Sequence, residues 1–544
     1  MSQIRRRSLI KAGGVLAGAM SIGGLTATAS ASGSVFAHGI ASGDPTPDGV
    51  VLWTRVTPDP GALPGSGVGA ACAVDWEVAA DEGFANVLAR GSLITGAWRD
   101  HTVKVDVAGL PAGQWLWYRF RALGEVSRTG RTRTAPAADE PLQRLRVGVV
   151  SCSNWQAGHF AAYRHLAARG DLDAVLHLGD YLYEYAPGEF QARDVVVRPH
   201  DPPVEMTSLE HYRRRHAQYK TDPDLADLHA SVPFVVTWDD HESANDAWAG
   251  GAENHTEGAE GSWTDRRSAS QRAYAEWMPV RYEPGGALHR RLRFGTLAEL
   301  SMLDLRSHRS RQVATPLDPG IGDPARTITG DEQMRWLTGG LANSTAQWKL
   351  IGNPVMIAPV RFPSTLSVEE RRAIGELTGT PEIQGLPYNV DQWDGYTADR
   401  DEVLGLLHER GITDTVFLTG DIHSAWAAEL PHSPATYPLD RNSVGTELVC
   451  TSVTSDNLDD ILRVPPRTAS LAVEAAIRAN NPHVKHLDFD SHGFSVLDVT
   501  AERVQMDWFA LDDRTRPSTG AQRTVSFEVP AGSQQVHQVS EGIR

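Results

Sequence analysis

The segment from residue 32 to residue 136 consists of short stretches in which apolar and polar residues alternate. The alternation is strict over 74–78 and 102–107, and it is rich in aromatic residues over 115–121. A period of two places successive side chains on opposite faces of a strand, so these stretches predict β-strands. Several short strands separated by turns are typical of a β-sandwich. We therefore predict a small N-terminal β-sandwich domain at 32–136, followed by a linker at 137–144.

From residue 145 onward, apolar runs end abruptly in polar or charged residues, with helix-like segments between the runs. Six such runs lead into Cys152, Asp180, Asp239-Asp240-His241, Asp304, Asn353 and Asp421-Ile422-His423. Runs of this kind predict buried strands of an α/β sheet. Because such sheets build their sites at the carboxyl ends of strands, the six junctions are expected to converge. This second domain is predicted at 145–525, with a C-terminal tail at 526–544.

The composition excludes several classes of protein. The chain has 22% charged and 41% hydrophobic residues, which is a globular rather than a disordered composition. Its formal charge of −17 argues against a protein that coats nucleic acids, because that function needs a basic surface. The three cysteines are too few for a disulfide scaffold or for a zinc domain built from several cysteines.

Residues 1–31 have the features of an export signal. A cluster of three arginines at positions 5–7 leads through two apolar residues to Lys11, and a Gly- and Ala-rich stretch ends in Ala29-Ser30-Ala31. This pattern predicts a Tat signal peptide cleaved near Ala29–Ala31, recognition by the Tat export machinery, and an extracellular mature protein. The alternative, a membrane anchor, fits less well because the run is short and glycine-rich, and no later apolar run is long enough to span. Removal of the four positive charges in this segment would leave a charge of −21.

The residues at the six junctions predict a metal site. Asp180, Asp240 and Asp421 could not be buried together as unpaired anions. Arginine or lysine could supply the compensating charge, but the neighbouring His and Asn residues favour metal ions. Oxygen ligands suit hard divalent ions, whereas a thiolate, a phenolate and an imidazole suit a transition metal. Two different metals that share a bridging carboxylate fit this set best.

Three short motifs carry a resemblance to a known superfamily. Gly179-Asp180-x-x-Tyr183, Asp239-Asp240-His241-Glu242 and Gly420-Asp421-x-His423 resemble the signature of the calcineurin-like metallophosphoesterases. Cys152 in place of the usual first Asp, with the W-D-D-H-E and G-D-x-H sequences, is similar to the PhoD-type alkaline phosphatase/phosphodiesterase family. The metal-dependent secreted phospholipase D of actinomycetes belongs to that family and is similar in layout. The resemblance covers nearly the whole chain.

The resemblance implies a fold and a set of metal ligands. The fold would be α/β in layers (α+β), with the N-terminal β-sandwich followed by a metallophosphoesterase double β-sheet sandwich flanked by helices. The ligands implied for a ferric ion are Cys152, Asp180, Tyr183 and His423, and Asp180 would bridge to a second site completed by Asp240, Asn353 and Asp421. The second site would hold one or two Ca²⁺ ions, with Mn²⁺ or another divalent ion as the alternative.

The implied reaction is hydrolysis of phosphate esters by metal-activated hydroxide. His241 is placed to bind phosphate or to protonate the leaving group. Arg306, which follows the strand end at Asp304, is a candidate phosphate clamp, since a guanidinium suits bidentate contact.

Three hypotheses about function remain open at this stage. The first is a secreted phosphomonoesterase/phosphodiesterase, and the second is a phospholipase D that acts on phospholipid head groups with the same metal centre. Exposed aromatic side chains around the site would favour the lipid substrate, and the candidates are Trp155, Trp248, Trp263 and Trp393. The third is a non-catalytic surface binding protein whose β-domain would carry the function. A missing metal ligand would favour it, and the sequence lacks none of the implied ligands.

Overall fold

The computed structural model describes residues 34–190, 195–363, 365–380 and 385–544. The predicted signal peptide at 1–31 lies outside these residues. Within the described part of the chain, no helix combines the length and the apolar character needed to cross a membrane.

Two large sheets form the centre of the molecule. In the described residues the first, called the main sheet, has ten strands, which in spatial order are His537–Val539, Ala521–Pro530, Arg503–Leu511, Gly493–Val499, Leu145–Val150, Ala174–His177, Phe234–Val236, Ile40–Thr46, Gly49–Arg55 and Thr102–Ala108. The second sheet, over the same described ranges, has seven strands, in the order Arg290–Phe294, Ala298–Met302, Trp348–Asn353, Thr415–Thr419, Ser443–Val449, Ala425–Pro431 and Val484–Asp488. The centre of each sheet is parallel.

The six apolar runs that precede the candidate ligands are strands, as predicted. Three belong to the main sheet and three to the second sheet. Their side chains are buried on both faces, because one face lies in a core between the sheets and the other lies under helices. Leu176 and Val149 of the main sheet share that inter-sheet core with Leu300, Leu350 and Leu418 of the second sheet. This arrangement is the predicted double β-sheet sandwich.

Helices cover the outer face of each sheet. The apolar residues that pack on the main sheet come from Ala161–Arg169, Leu209–Lys220, Pro223–Ser231 and Trp263–Trp277. Those that pack on the second sheet come from Asp331–Asn343, Val368–Thr378, Thr397–Arg410, Leu458–Leu462 and Ser470–Asn480. The described residues also include a short α-helix at Tyr437–Asp440.

The N-terminal β-sandwich is formed, and one of its layers continues the main sheet. A smaller sheet contains Val87–Thr95, Cys72–Ala79, Trp115–Ala122, Glu125–Val126 and Gly130–Arg133. Val74 and Phe120 of this smaller sheet share a core with Val50 and Leu52, which lie in a strand of the main sheet. The parallel pair formed by Ile40–Thr46 and Phe234–Val236 joins the two parts into one sheet.

The C-terminal residues form part of the core, which corrects one expectation. The sequence predicts a tail at 526–544, but Ala521–Pro530 pairs with Arg503–Leu511 along its whole length, and His537–Val539 adds a further strand. Phe527 and Val529 point into the inter-sheet core, because alternate side chains of a strand share one face. There is thus no structural boundary at residue 525.

We predict that the inter-sheet core dominates the stability of the chain. Leu497 lies in that core and is fully buried, so Leu497→Ala should reduce the free energy of unfolding by about 2–5 kcal/mol. Leu439→Ala is the matched control, because Leu439 is 91% exposed and should change stability by less than about 0.5 kcal/mol. Urea denaturation at constant metal concentration measures both. Equal midpoints for the two variants would contradict the assignment of this core.

Candidate metal centre

The carboxyl ends of the parallel strands in both sheets carry the candidate site. Cys152 and Asp180 follow neighbouring strands of the main sheet, and Asp421 follows a strand of the second sheet. Just beyond the strands, Ser151 and Ser452 form an isolated parallel bridge between the two sheets. The six junctions predicted from the sequence therefore meet at one edge of the sandwich.

Four of the candidate ligands share an unusual backbone conformation. They have φ angles between 51° and 66°, and they are Cys152, Asp180, Asp421 and His423. Non-glycine residues rarely occupy this left-handed region. Such residues persist only where the surrounding structure holds them, and they concentrate at functional sites.

The first group of ligand atoms contains a thiol, a carboxylate, an imidazole and a phenol. The ligand atoms of Cys152, Asp180 and His423 lie within 4.8 Å of one another. The Oη atom of Tyr183 is 3.1 Å from Oδ2 of Asp180 and 3.2 Å from Nε2 of His423. All four side chains are buried. The set predicted for a ferric ion is therefore brought together.

A second group is made almost entirely of carboxylates. Asp180, Asp240 and His241 form one set of neighbouring ligand atoms, and Asp239, Asp240 and Asp421 form another. Asp180 thus belongs to both the thiol side and the carboxylate side. This is the position expected of a bridging ligand.

The donor set fits bound cations. Oδ1 of Asp180 and Oδ1 of Asp240 are buried and have no hydrogen-bond partner among the described residues, which is costly for a carboxylate. Burial raises the pKa of the Cys152 thiol well above its ordinary value, and the Asp180 carboxylate raises it further. Burial likewise raises the pKa of Tyr183. A metal ion would reverse these shifts, because coordination deprotonates such groups.

Arg306 lies among these carboxylates. Its guanidinium donates two hydrogen bonds to Asp239 and forms an ion pair of 2.9 Å with Asp391. It is also 3.7 Å from Oδ1 of Asp240 and 3.9 Å from Oδ1 of Asp421. Burial acts against ionisation, but Arg306 and His241 lower the pKa of Asp240 to about 2. The contacts of Arg306 in this structure are therefore with carboxylates that it neutralises.

Asn353 ends its strand as predicted, but its amide is engaged in structural hydrogen bonds. Oδ1 accepts a hydrogen bond of 3.1 Å from Nε1 of Trp393, and Nδ2 donates to the carbonyl of Val355 and to Oγ1 of Thr419. These contacts fix the orientation of the amide. The ligand role of Asn353 stays a prediction.

His241 is paired with a buried glutamate that the sequence reasoning missed. Nδ1 of His241 lies 2.8 Å from Oε2 of Glu184. The other oxygen of Glu184 accepts hydrogen bonds from the backbone of Asn245 and from Nδ2 of Asn254, each at 2.8 Å. Burial opposes a charged imidazole, but Asp240 and Glu184 raise the pKa of His241 well above its ordinary value. The position of Glu184 directly after Tyr183 was the available signal.

Glu242 has a structural role that its place in the motif does not reveal. Its carboxylate accepts hydrogen bonds from the backbone N–H groups of Asp180, Tyr181 and Asp239, at 3.1, 2.7 and 2.9 Å. One side chain therefore holds two ligand-bearing loops together. Gly179 permits this close approach, since a Cβ atom there would lie 2.6 Å from Cβ of Asp239.

Phe190 forms an apolar wall beside the ligands. Its ring centroid is 5.7 Å from that of Tyr183, 6.0 Å from that of His241 and 6.1 Å from that of His423. The backbone carbonyl of Phe190 accepts a hydrogen bond of 2.7 Å from Nδ2 of Asn154. The loop that follows Cys152 thus positions this wall.

The four tryptophans considered as candidates for a lipid-binding rim are buried or packed against other side chains. Trp263 and Trp393 are buried. Trp155 packs against Phe160 and Tyr219, with Arg198 over its ring. Trp248 lies under Arg311. The expected signature of a phospholipid substrate is therefore weak.

Comparison with known proteins agrees with this geometry. The profile of the PhoD-like phosphatase family matches residues 147–508, and that of the PhoD-like phosphatase N-terminal domain matches 23–136. The chain belongs to the PhoD-like phosphatase family. Alkaline phosphatase D of Bacillus subtilis (strain 168) is 33% identical over 498 residues, covering 89% of this chain and 79% of that protein. The solved structure of PhoD matches with a TM-score of 0.83 and 32% identity, covering 95% of this chain and 94% of that one.

This PhoD-like phosphatase is a hydrolase of phosphoric esters. The family membership and the likeness to alkaline phosphatase D support this class, and they do not favour the phospholipase D alternative. The candidate ligand groups indicate that the phosphatase depends on metal ions.

We predict that Glu242 of the phosphatase is required to assemble the metal centre. Glu242→Ala leaves three buried N–H groups without an acceptor, at a cost of about 1–3 kcal/mol each. The thermal midpoint and the bound metal should both fall. Glu409→Ala, on an exposed helix position, should leave both unchanged. Wild-type metal content in Glu242→Ala would show that the two loops do not need this carboxylate.

Proposed function

We propose that this phosphatase is a secreted enzyme that hydrolyses phosphomonoesters and phosphodiesters at a centre of two kinds of metal ion. Fe³⁺ would be held by Cys152, Asp180, Tyr183 and His423. The observation that carries the proposal is the convergence of a thiol, a phenol and an imidazole on a carboxylate that also belongs to a carboxylate-rich group.

The chemistry of the first group supports iron. Thiolate and phenolate ligands suit a transition metal better than Ca²⁺ or Mg²⁺. Nδ1 of His423 is 2.9 Å from the backbone carbonyl of Asp456, which holds the proton on Nδ1 and leaves Nε2 free to coordinate. Burial lowers the pKa of His423 to about 3, so the imidazole is neutral, as a metal ligand must be.

The carboxylate-rich group supports a hard divalent ion. Asp240 and Asp421, with Asp180 as the bridge, offer oxygen ligands of the kind that Ca²⁺ prefers. Asp239 lies in the same group and adds to the predicted ligands. Asn353 would complete this site through its carbonyl oxygen. Mn²⁺ is the alternative occupant.

The residues around the metals would prepare the phosphoryl group for attack. When bound, the ions polarise the phosphoryl oxygens and make water a nucleophile near neutral pH. His241, kept protonated by Asp240 and Glu184, would donate the proton on Nε2 to the leaving-group oxygen. Phe190 would exclude water from that side of the phosphate. Arg306 would hold the carboxylates in place by balancing their charge. It would contact the phosphate only after one of its ion pairs with Asp239 or Asp391 opens.

Cys152→Ala tests the iron assignment. We expect the variant to lose stoichiometric iron, because the thiolate is removed, and to lose activity by more than about 100-fold, since even outer-shell changes cost about 10–100-fold. Iron is measured by elemental analysis of purified mature protein. Activity is measured on p-nitrophenyl phosphate and on its bis-ester, and phosphatidylcholine serves as the lipid substrate, for which negligible turnover is expected.

Cys72→Ala is the matched control for this test. Cys72 is also a buried free cysteine, but it lies in the smaller N-terminal sheet, so its replacement should keep both iron and activity. Full iron content in Cys152→Ala, or wild-type protein without iron, would refute the assignment.

Export by the Tat pathway is the second part of the proposal. The arginine pair Arg6-Arg7, two apolar residues and Lys11 support it. The double change Arg6→Lys and Arg7→Lys preserves charge, so loss of export would reflect reading of the arginines by the pathway rather than electrostatics. We expect secreted activity to fall to background, whereas Arg5→Lys should export normally. Immunoblots of medium and cells measure this, and undiminished export of the double variant would exclude the Tat route.

A further inference from the structure

A loop from the second sheet, Thr454–Asn457, lies directly against the thiol side of the centre. Oγ of Ser455 is 2.7 Å from Oη of Tyr183 and 3.1 Å from the backbone carbonyl of Cys152. The side chain of Ser455 is fully buried. The next residue, Asp456, offers the carbonyl that orients His423. One loop therefore contacts three of the four residues proposed to hold iron.

This loop is fixed by contacts outside the metal centre. Arg514, which is buried, donates from Nη1 to the carbonyl of Thr454 at 2.7 Å and from Nη2 to Oδ1 of Asp456 at 2.6 Å. Oγ of Ser452 donates to the carbonyl of Ser455 at 2.8 Å. These contacts hold the chain around Ser455 without involving the candidate ligands.

If the Tyr183 phenol is deprotonated, Ser455 is the partner that can donate a hydrogen bond to its oxygen. Within the described residues, the structure records three hydrogen-bond partners of the Tyr183 Oη atom: Asp180, His423 and Ser455. An ionised carboxylate can only accept hydrogen bonds. His423 holds its proton on Nδ1, toward the carbonyl of Asp456, so Nε2 is an acceptor as well. The Ser455 hydroxyl is the member of this set that can donate. Its one proton favours a phenolate over the carbonyl of Cys152, because the phenolate is charged and its oxygen is closer, at 2.7 Å against 3.1 Å.

We propose that Ser455 is a positioning residue that tunes the metal through Tyr183. Its Oγ–H donates a hydrogen bond to the phenolate oxygen and so sets how strongly that oxygen gives electron density to the ion bound beside it. The inference rests on the proposed iron site. No other role is assigned to Ser455 by the motifs, since it lies outside all of them.

Physical chemistry gives the direction of the effect. A hydrogen bond to a charged oxygen in a buried site is stronger than one between neutral groups. It stabilises the donor electrons of the phenolate, and hydrogen bonds to ligand atoms are a recognised means of tuning metal centres. Removal of the bond should raise the energy of those electrons. The phenolate-to-iron charge-transfer band should then move to longer wavelength.

The test compares three variants of the iron-loaded enzyme by visible absorption. Ser455→Thr keeps a hydroxyl donor and should keep the wild-type band, whereas Ser455→Ala removes the hydroxyl, so the band of Ser455→Ala should shift to longer wavelength. Iron affinity, measured by chelator competition, should fall roughly 10–100-fold. Ser452→Ala is the matched control for displacement of the loop: it removes the hydroxyl that holds the carbonyl of Ser455 but leaves the Ser455 hydroxyl and the Arg514 contacts in place. It should lower the thermal midpoint and move the band clearly less than Ser455→Ala does.

Each outcome bears on the inference. A band of Ser455→Ala at the wild-type wavelength would overturn the role of Ser455 while leaving the iron site standing. An equal shift in Ser452→Ala would overturn it too, because displacement of the loop would then explain the effect. A wild-type enzyme without any charge-transfer band would remove the iron assignment itself, and the inference with it.

Discussion

The burial of several carboxylates in one place is the constraint on which the site depends. The members of this cluster are Asp180, Asp239, Asp240, Asp391 and Asp421. Like charges removed from water repel strongly and keep little hydration, so each needs a cation or a proton. Arg306 offsets part of this charge, but within the described part of the chain one buried oxygen of Asp180 and one of Asp240 accept no hydrogen bond. Metal ions supply what the protein leaves unbalanced.

The two-sheet sandwich makes this concentration of charge sustainable. Parallel strands in both sheets end at one edge of the sandwich. Residues that are far apart in the sequence therefore lie close together at that edge. The backbone is in the left-handed conformation at four of these residues, and it orients their side chains there: Cys152, Asp180, Asp421 and His423. The large apolar core between the sheets opposes the strain and repulsion that these turns and charges introduce.

Residues outside the proposed ligand set decide how the candidate ligands are oriented. Glu242 joins two ligand loops through backbone hydrogen bonds, Glu184 orients His241, and the Ser455 loop orients Tyr183 and His423. Such outer contacts fix both the direction and the protonation state of a ligand. The geometry of the candidate centre therefore depends on these surrounding hydrogen bonds as well as on the candidate ligands themselves.

The strands, the order of the junctions along the chain and the chemical type of most candidate ligands follow from the amino-acid pattern alone. Apolar runs that end in Cys152, Asp180 or Asp421 carry that information locally, because burial and strand ends follow from the pattern of side chains. Which polar groups meet depends on how the chain folds in three dimensions. Asn353 and Arg306 have the predicted positions along the chain, yet their side chains are held by partners distant in sequence. Hydrogen bonds and ion pairs of this kind depend on three-dimensional proximity, which no local pattern encodes.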